Sequence, residues 1–233
     1  MARRPKTLTA TADTRTKLIE VAARHFAEHG YRGASQREVQ REIGMNPGVV
    51  HYHFGSKEAL YRGVIDSFIH GVQEERLRLL KEMDAELAGR ARLQRLLYNY
   101  FYPHVALAST AAGLSYARIL ASVQHEYKTS SAKIFDDIVA PVRNRYIAAI
   151  RELFPGTPRA EIQRLLAMAV ALMAVTATWH DSAPKAVANE DAVRKLADDL
   201  ARFTTAGFEA HLGGRTGSAG TAVRKRAVRK TAR

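Results

Sequence analysis

The chain has 233 residues, no cysteine and a formal charge of +13, which excludes a disulfide framework, a thiolate metal site and a cysteine nucleophile. The charge sits at the ends. Arg3, Arg4 and Lys6 at the start and Arg215, Arg224, Lys225, Arg226, Arg229, Lys230 and Arg233 at the finish leave only 26 of the 36 Lys/Arg to face all 23 Asp/Glu between them, so a polyanion partner needs a motif to support it.

Helical periodicity dominates and no segment alternates as a strand would, so the fold is expected to be all-α. No apolar stretch follows the basic N-terminus, and the most apolar run, Leu165 to Ala177, is too short to span a bilayer. No membrane association is expected, and the location is expected to be cytoplasmic.

Residues 1–12 read as a disordered basic arm. A first helix is predicted from Asp13 or Thr14 to His29, with Leu18, Ala22 and Phe26 as its apolar stripe and Gly30 as its stop. Two short helices follow, about 35–43 and 47–54, too short to be stable unless packed on the first. Ser56 caps a long helix to about Glu82. Further helices are predicted at about 90–107, 112–127, 130–153, 158–180 and 189–211, with Pro141 expected to kink or split the third of these five. Residues 213–233, made of Gly, Ala, Thr and basic residues, read as a disordered basic tail.

The informative segment is Ala34 to Phe54. Val39 and Ile43 share one face of the first short helix, Gly44 supplies a left-handed residue to end it, and Asn46-Pro47 reads as a cap followed by proline at the first helical position. Gly48 and Val49 then leave a nearly bare first turn, which suits close approach to base edges in a major groove. This is the pattern of a helix-turn-helix.

The run Tyr52-His53-Phe54-Gly55-Ser56-Lys57-Glu58-Ala59-Leu60, set behind the first helix and Gly44, resembles the tetracycline-repressor (TetR) family over about residues 13 to 70. The resemblance implies a helix-turn-helix DNA-binding domain over 13–73, an effector-binding and dimerisation bundle over 74–212, and a homodimer whose DNA binding is released by a small molecule. It implies groove-facing roles for Met45, Asn46, Pro47, Gly48, Val49 and His51, with Ser35, Gln36 and Arg37 beside the backbone. Tyr52, His53 and Lys57 match the family's phosphate contacts, and Asn46, Gln36 or Arg37 could read base edges. The sequence departs from the family pattern at Gln40, usually a small residue, and at His51, commonly tyrosine, which would make contact there sensitive to pH.

The helix predicted at 90–107 is apolar almost all round, with Leu93, Leu96, Leu97, Tyr100, Phe101 and His104 on one face. The family resemblance places an effector pocket around it, with Phe68, Tyr98, Tyr102, Tyr116 and Arg118 as candidate lining. It also places a four-helix dimer interface on the last two helices, with Leu165, Leu172, Met173, Leu196, Leu200 and Phe203 as candidates. The expected partners are an operator duplex, a second copy of the chain and a small hydrophobic, lipid-like effector such as a fatty acid or acyl thioester.

No cofactor or metal is expected. His25 and His29 have i, i+4 spacing without an evident third ligand. The expected function is a ligand-responsive repressor, cytoplasmic and nucleoid-associated. The alternatives are an enzyme acting on a small hydrophobic metabolite with an accessory DNA-binding head, and a nonspecific DNA-coating protein. No His-Glu-x-x-His or strand-borne Gly-x-Ser-x-Gly motif supports the enzyme, so no catalytic residue is nominated.

Overall fold

The computed structural model describes residues 6–46, 48–123, 130–176 and 189–228, with side chains described over 13–46, 48–110, 113–123, 130–176 and 189–213. Among these residues the chain forms nine α-helices and no strand: α1 Lys6–Gly33, α2 Gln36–Glu42, α3 Val49–Phe54, α4 Lys57–Lys81, α5 Gly89–Ala108, α6 Ala111–Val123, α7 Ser130–Leu153, α8 Arg159–Thr176 and α9 Glu190–Val228. None of the described helices is long and apolar enough to cross a membrane.

Helix α1 begins about two turns before the expected cap. Its buried stripe of Leu18, Ala22 and Phe26 nucleates the helix, and extending it backward through Ala10 and Ala12 costs little intrinsic propensity. Gly30, at φ 64° and ψ 175°, breaks the regular helix at the expected stop. At the other end α9 continues to Val228, although composition suggests no structure from Gly213 onward. Ala, Lys and Arg propagate a helix well once one exists, and the packed part of α9 supplies it. Helix α7 passes through Pro141 without splitting. Pro141 and Asp137 are both exposed, so the Asp137 carbonyl that is deprived of its helical donor faces water.

Helices α1 and α3 pack on α4, α2 packs on α1 and α3, and α1 also packs on α6. Helix α5 touches α4, α6, α7, α8 and α9 and is the centre of the larger bundle. One apolar core runs from Leu18 in α1 to Leu212 in α9. The boundary placed at residue 73 therefore falls inside the single helix α4, with core on both sides. Helix α4 spans roughly 37 Å at 1.5 Å per residue, which lets one rigid element reach from the helix-turn-helix into the bundle.

Candidate nucleic-acid interface and interior cavity

Ser35 caps α2 in an extended conformation, and its side chain makes no capping bond. Arg37 beside it is exposed and has no acidic partner among the described residues, whereas Gln36 is half-buried. Helix α2 closes with Gly44 at φ 66°, where the Gly44 N–H donates to Arg41 O at 3.1 Å and the Met45 N–H to Gln40 O at 3.2 Å. Val39 and Val50 are buried and Ile43 packs against the same core, which fixes α2 against α3.

The cap of α3 is Gly48, not Asn46. At φ 107° and ψ −13° Gly48 occupies left-handed backbone that a side chain would strain, and the helix starts at Val49 behind it. The Asn46 carbonyl instead accepts from the Val49 N–H across the turn at 3.3 Å. Asn46, Gly48, His51 and Tyr52 are exposed, with Tyr52 at 79 %. Met45, Val49 and His53 are half-buried, and Val49 leans on the core. Pro47 lies outside the described residues. Lys57 turns its ammonium toward α1: Nζ donates to Arg32 O at 3.0 Å and lies 5.2 Å from the Tyr31 ring centroid. Partial burial lowers its pKa from the ordinary lysine value, and two of its three N–H groups stay free of that bond.

Two contacts that hold this head together are not among the sequence expectations. The Glu42 carboxylate accepts from Arg24 and from His25 Nε2, the latter at 2.8 Å, tying α2 to α1. Arg24 and then His25 hold the Glu42 carboxyl below its ordinary value. His25 is thus engaged with a carboxylate, and the described residues contain no group of three or more side chains suited to a metal ion. Phe54 packs against Gly63 of α4, with the Arg15 guanidinium 5.1 Å from its ring centroid. Of the two glycines inside α4, Gly63 marks a close approach, whereas a Cβ on Gly71 would meet nothing within 4 Å.

A cavity of about 690 Å³, within the range of small-molecule sites (~300–1,000 Å³), lies among α4 to α8. Of the nominated lining residues, Tyr116 is on its wall. Phe68 is not; its ring sits 5.8 Å from that of Tyr116. Tyr98 and Tyr102 stack on each other at 5.5 Å away from the cavity, and Arg118 is exposed, also off its wall. Two residues along a helix turn about 200°, so the α5 face that meets the cavity carries Tyr100 and His104 instead. Arg76 of α4 also lines it. It continues the apolar stripe of Ile65, Ile69 and Val72, and a charge on such a stripe is its sequence signal.

On the nominated dimer face, Leu172 and Phe203 are exposed, Leu196 is half-buried, and Leu165, Met173 and Leu200 are buried in the chain's own core. The large apolar side chains that α8 and α9 present to solvent among the described residues are Met168, Leu172, Val175 and Phe203, with Met168 at 61 % and Phe203 at 70 %. Helix α8 is apolar on two sides, and the side that packs inward carries Leu165, Leu166, Ala169 and Met173.

A family model described as "Bacterial regulatory proteins, tetR family" matches residues 18–64, and "Tetracyclin repressor-like, C-terminal domain" matches residues 98–207. The chain belongs to the TetR family. The TetR head is similar to the HTH-type transcriptional repressor AcnR of Corynebacterium efficiens, 43 % identical over 49 residues, 21 % of this chain and 26 % of that protein. It is also similar to the HTH-type transcriptional repressor KstR2 of Rhodococcus jostii, 32 % identical over 84 residues, 36 % of this chain and 39 % of that protein. The match thus spans well under half the length of these curated relatives.

Solved structures extend the TetR likeness to the whole fold. A transcriptional regulator from Rhodococcus is 21 % identical with a TM-score of 0.53, covering 83 % of this chain and 96 % of that one. The fatty acid degradation regulator FadR from Bacillus halodurans is 16 % identical with a TM-score of 0.55, covering 78 % and 97 %.

Proposed function

We propose that the chain is a ligand-responsive DNA-binding transcriptional regulator that acts as a homodimer in the cytoplasm, associated with the nucleoid. In this reading it represses from a pseudo-palindromic operator and is released by a small, largely apolar effector. The observation that carries the reading is the span of α4. Near its start, Gly63 seats Phe54 of α3; thirteen residues on, Arg76 lines the cavity. That is roughly 20 Å along one helix, so a ligand that shifts α4 also shifts the helix meant for the groove.

In this reading Asn46, His51 and the bare Gly48 turn meet base edges. Ser35, Arg37, Tyr52, His53 and Lys57 position the head on phosphates, with Gln36, Met45 and Val49 flanking. The dimer face is Met168, Leu172, Val175 and Phe203, since apolar side chains this exposed suit a partner surface. Repression is supported by the relatives AcnR and KstR2, which are HTH-type transcriptional repressors. Effector and DNA then oppose each other through a coupling of about 1–3 kcal/mol, the usual allosteric range.

Selection of bound sequences from a randomised duplex pool, followed by salt titration of the winner against scrambled DNA, tests the reading. A two-fold-symmetric winner that resists salt better than scrambled DNA is the expected result. Failure to enrich any sequence, with equal salt slopes, would return the chain to nonspecific DNA coating.

A further inference from the structure

The wall of the cavity holds an unusual set of polar groups. Arg76 is 3 % exposed and has no carboxylate in ion-pair range among the described residues. It is nonetheless tightly placed: Nε donates to Tyr100 O at 2.8 Å, Nη1 to Gln73 Oε1 at 3.3 Å, and the guanidinium carbon lies 3.9 Å from the Tyr100 ring centroid.

Beside Arg76 stand His104, 1 % exposed, and Tyr116, 0 % exposed, with ring centroids 5.5 Å apart. His104 Nε2 and the Tyr116 hydroxyl are both buried, both on the cavity wall, and neither has a hydrogen-bond partner among the described residues. Buried polar atoms are paired in nearly all folded proteins, so two orphans beside an unneutralised guanidinium point to something that is meant to lie between them. The rest of the lining is apolar at Ile69, Leu120, Phe135, Val139, Leu166 and Met173, and polar at Ser130, the exposed Lys133 and Gln163, and the ion pair of Arg143 with Asp136.

We infer that the inner end of this cavity is an anion site, and that the ligand is a monoanionic organic carboxylate with an apolar body. Arg76 neutralises the carboxylate through its remaining N–H groups, and the Tyr116 O–H and His104, in its Nε2–H tautomer, donate to the carboxylate oxygens. The apolar residues receive the body. Among the described lining residues Arg76 is the one fully buried cation, Arg143 being paired with Asp136 and Lys133 exposed, so one buried guanidinium matches one negative charge, which favours a carboxylate over a phosphate dianion. Burial, aided by the nearby Arg76 charge, pushes His104 down to about 3, so it serves as a neutral donor without adding a second cation. The inference rests on the proposed effector role of the cavity and specifies its ligand class.

The test is a calorimetric binding panel on the full-length protein without DNA. It uses straight-chain and phenyl-substituted alkanoates, each paired with its primary amide, its alkylammonium and its alkyl phosphate. The best alkanoate is expected to bind at least ~10-fold more tightly than its amide, a difference of about 1.4 kcal/mol, and more tightly than its phosphate. Arg76→Met should erase that preference. Tyr116→Phe, which keeps the ring, should reduce alkanoate affinity roughly 3–10-fold while sparing the amide, which keeps the test open if Arg76→Met misfolds. An amide or ammonium that binds as well as the acid overturns the anion site, as does a panel in which nothing binds or one in which the phosphate wins. An alkanoate that binds as expected but leaves the selected operator occupied would instead sink the effector reading and keep the anion site.

Discussion

Phe54 rests the edge of its ring on Gly63: a Cβ placed on that glycine would come within 2.8 Å of Phe54 Cε1. The absence of a side chain at this position near the start of α4 is what lets the last residue of α3 sit close. Gly63→Ala would gain up to about 1 kcal/mol of helix propensity and lose about 1–3 kcal/mol to overpacking. The ring must swing, and α3 moves with it. Thermal stability should therefore change little, while affinity for the selected operator should fall roughly 10-fold, or about 1.4 kcal/mol. Melting curves beside operator titrations separate the two, and unchanged affinity would show that α3 is seated by other contacts.

The seam between α1 and α2 has an acid-sensitive fastener. Arg24 first, and His25 second, lower the Glu42 carboxyl below its ordinary value of 4.5. A carboxyl that is more acidic in the fold than in the unfolded chain stabilises the fold fully above its unfolded value. That contribution is lost as pH falls through the folded value. Glu75, held low by Arg78, behaves in the same sense and forms the background. The melting temperature should fall as the pH drops below the ordinary value of 4.5, and Glu42→Gln should fall less steeply because it has nothing left to lose there. Parallel curves for the two proteins would mean that the exposed pair carries no stability.

The helices themselves are largely legible from side-chain spacing, because burial follows the 3.6-residue period in Leu18, Ala22 and Phe26 and again in Leu93, Leu96, Leu97 and Tyr100. What the spacing cannot supply is the rotation of one helix against the next. Tyr98 and Tyr100 are equally aromatic, and only the packing of α5 among five neighbours decides that Tyr100 meets the cavity while Tyr98 stacks on Tyr102. The same limit explains α8, where Leu165 and Met168 are both apolar, yet Leu165 is buried and Met168 exposed. Two clues stand in the sequence and are explained by the structure: Gly63 inside a helix, and Arg76 on an apolar stripe.

The exposed apolar face of α8 and α9 gives the dimer a direct test. Phe203 and Leu172 are exposed in the single chain, so Phe203→Asp and Leu172→Asp should leave each chain folded. In a dimer they would bury a carboxylate without a partner, at a cost of several kcal/mol. Sedimentation velocity at micromolar concentration should give a dimer for the parent chain and mainly monomer for either variant, with helical circular dichroism retained. A parent chain that sediments as a monomer, or variants that remain dimeric, would remove this face from the interface.

Arg37 and the basic C-terminal segment should affect DNA binding in different ways, because only one of them belongs to the folded head. Arg37 is exposed at the start of α2 and has no acidic partner among the described residues, so its guanidinium is free to meet the duplex at the helix-turn-helix. Residues 213–233 bring seven Lys/Arg without an acid, and Leu212, just before them, is the last core residue among the described side chains of α9. Deleting 213–233 should thus leave the core intact. Operator and scrambled DNA should weaken by the same factor, and the salt dependence should become shallower by about 0.9 for each phosphate that the tail no longer neutralises. Arg37→Ala should instead weaken the operator more than scrambled DNA, by about 1–3 kcal/mol if Arg37 reads a base edge and by less if it meets only phosphate. Salt titrations of parent, truncation and Arg37→Ala on both duplexes decide the matter. A truncation that selectively weakens the operator would make the tail a sequence reader, and an Arg37→Ala variant that binds as the parent does would remove Arg37 from the interface.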